Sequence, residues 1–246
     1  MHKRIVVVAL SLSLAGCATA DFEQGLGQVL GAMGQPGASQ APLGENEIVG
    51  GLREALAVGT TKAINQLGRN DGYWGNAGVR IPVPPELAKL EKGLRNFGQG
   101  KTVDDFHLTL NRAAEQAVPQ VAEIFGNAVR QMSIQDARAI LNGSPDAATQ
   151  FFRRTSSDAI YAKVYPLVQV TTQRVGVTQQ YKQMASSYGP LLKMAGVKNI
   201  DLDAYVTQQA LAGLFTTIAQ EEARIRQNPA ARTTEILKRV FGSQGR

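Results

Sequence analysis

His107, Asn111 and Glu115 stand at i, i+4 and i+8, so on a helix they form one stripe at the border of its apolar face. Asp104 sits near the start of the same segment. A histidine flanked by carboxylates can act as a general base. The same three groups can equally tie two helices together as a satisfied polar network. No activated serine is on offer, because no G-x-S-x-G elbow occurs in the chain. A second constellation lies in the glycine-rich stretch 68–85. There Tyr73 and Trp74, the only tryptophan, stand beside Asp71, Asn76 and Arg80. Such loops on a rigid scaffold often bind partners through aromatic and arginine anchors. The alternative is that the two rings lie on the bundle as a lid.

Other chemistries find little support. Asn199-x-Asp201-x-Asp203 resembles a calcium loop, but Ala204 and Ala210 occupy the positions of its glycine and glutamate. Asp201 reads instead as a helix cap. The histidines are His2 and His107 and the only cysteine is Cys17, which leaves no zinc set. Phosphate loops and dinucleotide fingerprints are missing from the sequence. No cofactor, metal site or catalytic set is expected. The stretch 224–246 carries Arg224, Arg226, Arg232, Lys238, Arg239 and Arg246 against Glu235. It reads as a solvated face, or as a surface for anionic headgroups or cell-wall carboxylates.

The elements that position these groups follow a short leader. His2-Lys3-Arg4 form a basic head, and Ile5 to Leu14 are apolar apart from Ser11 and Ser13. That run is shorter than the roughly 20 residues that cross a bilayer and fits a secretory signal. It ends in Leu14-Ala15-Gly16-Cys17, the pattern of a bacterial lipobox. Residues 1–16 are therefore expected to be a signal peptide, with cleavage before Cys17 and lipidation on its thiol. Two or more acyl chains hold a protein stably on a membrane. Ala18 in place of an aspartate resembles an outer-membrane address, facing the periplasm. Loss of Lys3 and Arg4 takes the formal charge from +6 to +4, a mild balance that does not suggest nucleic acid. Residues 17–47, with six glycines and two prolines after Cys17, read as a flexible tether.

From Ile48 the periodicity is helical. Ile48, Leu52, Ala55, Leu56, Ala63, Ile64 and Leu67 recur at three and four, and Gly68 is a natural stop. In the stretch after it, Val79, Ile81 and Val83 alternate, while Pro82 and Pro84 forbid a central strand. The result is an extended strap or an edge strand. Pro84-Pro85 open a helix closed by Gly98. Thr102 to Asp105 look like a cap for a long helix over 103–132, kinked at Pro119. Ser133 caps a helix to Leu141. Ser144-Pro145 starts one that breaks near Ser156-Ser157, kinks at Pro166 and runs to Arg174. Helices over 178–187, 201–227 and 231–241 follow, with a turn at 190–195. The expected domain, 48–246, is an all-α bundle of roughly eight helices with one proline-containing strap.

Several motifs along this domain carry a resemblance. They are Gly51-Leu52-Arg53-Glu54-Ala55-Leu56 with Val58-Gly59-Thr60, Asp71-Gly72-Tyr73, Val79-Arg80-Ile81-Pro82-Val83-Pro84 and Leu110-Asn111-Arg112-Ala113-Ala114-Glu115. Met132-Ser133-Ile134-Gln135-Asp136-Ala137 and Ala147-Ala148-Thr149-Gln150-Phe151-Phe152 complete the set. Together they resemble the bacterial domain-of-unknown-function family 4197. The resemblance implies a helical domain in a secreted protein or lipoprotein. It implies no activity and supplies no catalytic residue.

The functional expectation is a non-enzymatic envelope lipoprotein. It is membrane-anchored through its N-terminus and binds an envelope protein or cell-wall partner through the strap or the basic tail. A carrier of an apolar ligand between helices, or a hydrolase using His107, are the alternatives.

Overall fold

Helix formation starts at Glu45, inside the stretch read as tether, and places Leu52, Ala55, Leu56, Ala63 and Ile64 on one buried face of α1 (Glu45–Leu67). Burial of each large aliphatic side chain is worth about 1.5–3 kcal/mol. Gly68 closes the helix, its N–H donating to the Ile64 carbonyl at 2.8 Å. The computed structural model describes residues 43–190 and 200–242. The leader, Cys17 and most of the tether lie outside the described residues, as do the 190–195 turn from residue 191 on and Arg246.

A short 3-10 turn, Pro85–Leu87, leads into α2 (Ala88–Asn96), and α3 (Gly100–Ala117) follows. The cap expected at Thr102 is not used. The helix begins at Gly100, and Gln99 makes no side-chain capping bond. Pro119 ends α3 outright instead of kinking it. Proline has no N–H to continue the ladder, and the chain passes through a 3-10 turn, Val118–Val121, into α4 (Ala122–Arg130). Ser133 caps α5 (Ile134–Leu141) in a reciprocal box with Asp136.

The break expected at Ser156-Ser157 does not occur. Helix α6 (Ala147–Val175) runs unbroken through it and through Pro166. The hydroxyls of Thr155 and Ser157 donate back to the carbonyls of Phe151 and Arg153, at 3.0 and 2.5 Å, so they do not compete with the backbone ladder. Gly176, with φ of 85°, turns the chain into α7 (Val177–Ser187). Asp201 caps α8 (Leu202–Gln227) as expected, accepting from Ala204 N–H at 2.8 Å. A 3-10 turn, Pro229–Ala231, precedes α9 (Glu235–Gly242).

The described residues thus form nine α-helices and no strand, an all-α bundle. The described residues from Leu43 onward make one compact unit. Helix α8 lies at its centre, packed on α6 and α1, and α4, α5 and α9 complete the wall around α1. Phe125, Phe152 and Phe215 meet at the junction of α4, α6 and α8, with centroids 5.4–6.3 Å apart. The apolar gap between α2 and α3, beside Leu90 and Phe106, measures about 10 Å³, far below the size of any carried ligand. Among the described residues no helix is long and apolar enough to cross a membrane.

Candidate functional site: a strap held by a polar helix stripe

The strap, residues 68–84, is a chain of tight turns followed by an extended run. Backbone bonds close it at Gly72→Arg69, Gly75→Asp71, Asn76→Tyr73 and Arg80→Asn76. Asp71 adopts a left-handed conformation, φ 62°. Gly72 is obligatory next to it, because a Cβ there would lie 2.3 Å from the Leu67 carbonyl oxygen. From Arg80 on the chain is extended but pairs with no strand. Ile81 is buried, and Arg80 and Pro82 point outward, so the alternation was legible while the edge strand is not formed.

What replaces a neighbouring strand is the α3 stripe. Asn111 binds Ile81 as a ladder rung would: its Oδ1 accepts from Ile81 N–H at 2.8 Å, and its Nδ2 donates to the Ile81 carbonyl at 2.9 Å. The same amide nitrogen donates to the His107 carbonyl, 2.9 Å. His107 Nε2 lies 2.6 Å from the Ile81 carbonyl, so this nitrogen carries the proton and donates. Glu115 holds the other end of the strap. Its Oε1 accepts from the N–H groups of both Tyr73 and Trp74 at 3.0 Å. Its Oε2 accepts from Arg112 at 2.6 Å, and Arg112 reaches on to Asp71 at 2.7 Å. Glu115 is 3% exposed, so this carboxylate is paid for by three donors.

Helix α8 closes the strap from the other side. The Tyr73 ring is fully buried and its hydroxyl donates to the Ala210 carbonyl at 2.7 Å. Gly213 makes room for that ring, since a Cβ would sit 2.8 Å from it. Tyr205 donates to the Pro82 carbonyl at 2.9 Å. Trp74 remains half-buried. Its ring meets the His107 ring edge-on at 5.0 Å, and the Arg80 guanidinium lies 4.8 Å above it. Arg80 also donates to the Trp74 carbonyl at 2.6 Å.

The electrostatics match a closed structure. Burial raises the Tyr73 hydroxyl far above its ordinary range, and the Glu115 charge adds to this. Burial, with Glu86 nearby, pushes Tyr205 up to about 12. Burial holds His107 below the usual histidine range, against the opposing pull of the Ile81 carbonyl, Glu91 and Asp104.

The two constellations that the sequence separates, Asp71–Arg80 and His107–Glu115, are therefore one assembly. Asp104 acts on His107 through its charge alone, and its carboxylate pairs with Arg95 at 2.8 Å. Asp203 is bonded to Thr172, not poised for a cation, and the described residues hold no cluster of three potential metal ligands. In the tail, Arg224 pairs with Glu221, Arg239 with Glu47 and Lys238 with Glu235. Arg232 donates to the carbonyls of Ile225 and Arg226.

Sequence reasoning missed a second buried carboxylate. Glu222, 1% exposed, accepts from the N–H groups of Ala148 and Thr149 at the start of α6, at 3.0 and 2.8 Å, and from the Thr149 hydroxyl at 2.6 Å. Arg226 neutralises it at 2.8 Å and reaches the carbonyls of Ile140 and Leu141 at the end of α5. The signal was present. Glu222 stands between Ile218 and Ile225 in the apolar stripe of α8, with an arginine one turn on.

The motifs of the resemblance meet in pairs in this fold. Arg53 donates to the Met132 carbonyl, and the Asp71-Gly72-Tyr73 motif is bound by the Arg112 and Glu115 motif. None of the curated proteins and none of the solved structures compared with the chain matches it. One family does, described as "Protein of unknown function (DUF4197)", over residues 42–242. The chain belongs to this family.

Proposed function

We propose that the chain is a non-enzymatic lipoprotein of the cell envelope, anchored through Cys17, whose helical domain binds a protein or cell-envelope partner through the outer face of the strap. The observation that carries this reading is how the α3 stripe is used. His107, Asn111 and Glu115, the groups with the most chemical potential, are spent on strap backbone. What they produce is a rigid surface on which the Trp74 ring and the Arg80 guanidinium are held against each other. Pre-organised aromatic and arginine anchors bind with little ordering cost. The lipobox at Leu14–Cys17 and the absence of an aspartate at Ala18 support an outer-membrane anchor facing the periplasm.

The test is photocrosslinking in cells from Ala77 on the exposed strap, with Lys182 on α7 as the control position. Discrete adducts are expected at Ala77 and not at Lys182, and they disappear in Trp74→Ala and Arg80→Ala. Equal patterns at the two positions overturn the reading. Incorporation of labelled palmitate, lost in Cys17→Ala, tests the anchor separately.

A further inference from the structure

The outer face of α6 and α8 carries a groove that the strap chemistry does not use. Two open cavities, about 590 and 450 Å³, lie along the seam between the helices and share Arg153. From Asp146 to Tyr161 the α6 wall runs about 22 Å, at 1.5 Å per residue. The α8 side offers Ala212, Thr216 and Ala219, which leave the trough open.

The polar groups of this groove are planar and of both signs. The Arg153 guanidinium lies over the Phe215 ring at 5.1 Å. Arg153, Arg154 and Asp158 form no ion pair among the described residues and are exposed. Gln208 and Gln220 line the groove and are exposed as well. Tyr161 forms part of the wall, its ring stacked on Tyr165 at 5.8 Å and 25°.

This composition selects among ligand classes. Asp146 and Asp158 balance Arg153 and Arg154, so a polyanion or a polycation meets its own sign. An extended peptide that docks by strand addition needs a free sheet edge, and both walls here are helices whose backbone groups are bonded internally. A peptide helix needs apolar anchor pockets, and Leu211 and Phe215 are already buried. Hydroxyl groups suit the site, because each both donates and accepts and can bridge a carboxylate, a guanidinium or an amide. A fixed aromatic ring offers the apolar face of a sugar a surface to lie on.

We propose that the α6–α8 groove is a binding site for a short neutral oligosaccharide, with Tyr161 as the platform and Arg153, Asp158 and Gln208 as hydroxyl ligands. The site does not depend on the strap binding anything.

The experiment is an amide chemical-shift titration of the full-length chain, held in a non-glycosidic detergent. The probes are a tetramer of N-acetylglucosamine and a tetramer of glucose, each taken to millimolar concentration. Saturable shifts are expected over residues 150–161 and 208–220 with at least one of them. Tyr161→Ala and Gln208→Ala should each weaken that binding at least tenfold. Tyr161→Phe keeps the ring and should retain it, and Lys101→Ala on α3 should leave it unchanged. Circular dichroism shows whether each variant is folded, and the exposed Gln208→Ala serves if Tyr161→Ala is not. The proposal is overturned if neither sugar shifts the groove amides, or if an acidic tetrapeptide does so and the sugars do not.

Discussion

Replacing Glu115 by alanine removes the acceptor shared by Tyr73 and Trp74 and leaves the Arg112 guanidinium with Asp71 as its remaining carboxylate. Each buried donor left without a partner costs about 1–3 kcal/mol, and the lost charge-assisted bond to Arg112, which keeps Asp71, about 1.5–3 kcal/mol. Trp74 is only half-buried, so water recovers part of its share. The expected loss for Glu115→Ala is therefore about 3–5 kcal/mol. Glu115→Gln keeps an oxygen for the two N–H groups and loses only the charge-assisted bond to Arg112, so about 1.5–3 kcal/mol is expected. For a domain of this size, about 2–4 °C of Tm accompanies each kcal/mol. The assay is urea unfolding followed in parallel by far-ultraviolet circular dichroism and tryptophan fluorescence. Trp74 is the only tryptophan, so the fluorescence reports the strap alone. In Glu115→Ala the fluorescence transition should precede the loss of helix, because the strap opens locally before the bundle unfolds. Equal stability of Ala, Gln and wild type, or coincident transitions in Glu115→Ala, would refute the reasoning.

Four further outcomes are expected. Asn111→Asp sets a carboxylate against the carbonyls of Ile81 and His107, and chemical denaturation at neutral pH should show a loss of about 3 kcal/mol or more. His107 titrates below its ordinary range in the folded chain, so the unfolded chain binds more protons in the window from the folded value up to about 6.5. Stability should fall as the pH drops through that window, a slope that His107→Ala removes, and a histidine ring NMR titration locates the folded value directly. Glu222→Ala uncaps α6 and strands Arg226, and should lower stability by about 3–5 kcal/mol in the same denaturation assay. Gly213→Ala pushes a methyl into the Tyr73 ring, and thermal unfolding should register an overpacking cost of about 1–3 kcal/mol.

The helices were legible wherever periodicity and punctuation agree. The caps at Ser133 and Asp201 and the stop at Gly68 sit where local chemistry puts them. Local chemistry misled where tertiary burial outweighed it. Ser156-Ser157 looked like a break, yet Phe152 and Ile160 on either side are core residues that hold α6 continuous. The strap is legible as irregular and proline-limited, and so is the alternation of Val79, Ile81 and Val83 along it. Its binding to α3 is not, because Ile81 and Asn111 are 30 residues apart and Tyr73 and Glu115 are 42 apart. Helical spacing places His107, Asn111 and Glu115 on one stripe but says nothing of what that stripe faces. The C-terminal run is less basic in the fold than its own charge count, for a related reason. A window opening at Arg224 leaves out Glu221 and Glu222, the acids that Arg224 and Arg226 answer.

The central claim is that the polar stripe of α3 exists to immobilise the strap. Amide hydrogen exchange at Tyr73, Trp74 and Ile81 reads it directly, since these N–H groups are the ones that Glu115 and Asn111 accept. The account expects all three to be protected, Tyr73 and Ile81 with opening free energies close to those of the α3 and α8 core amides. Exchange at the rate of an open loop, with the helix amides still protected, would contradict it.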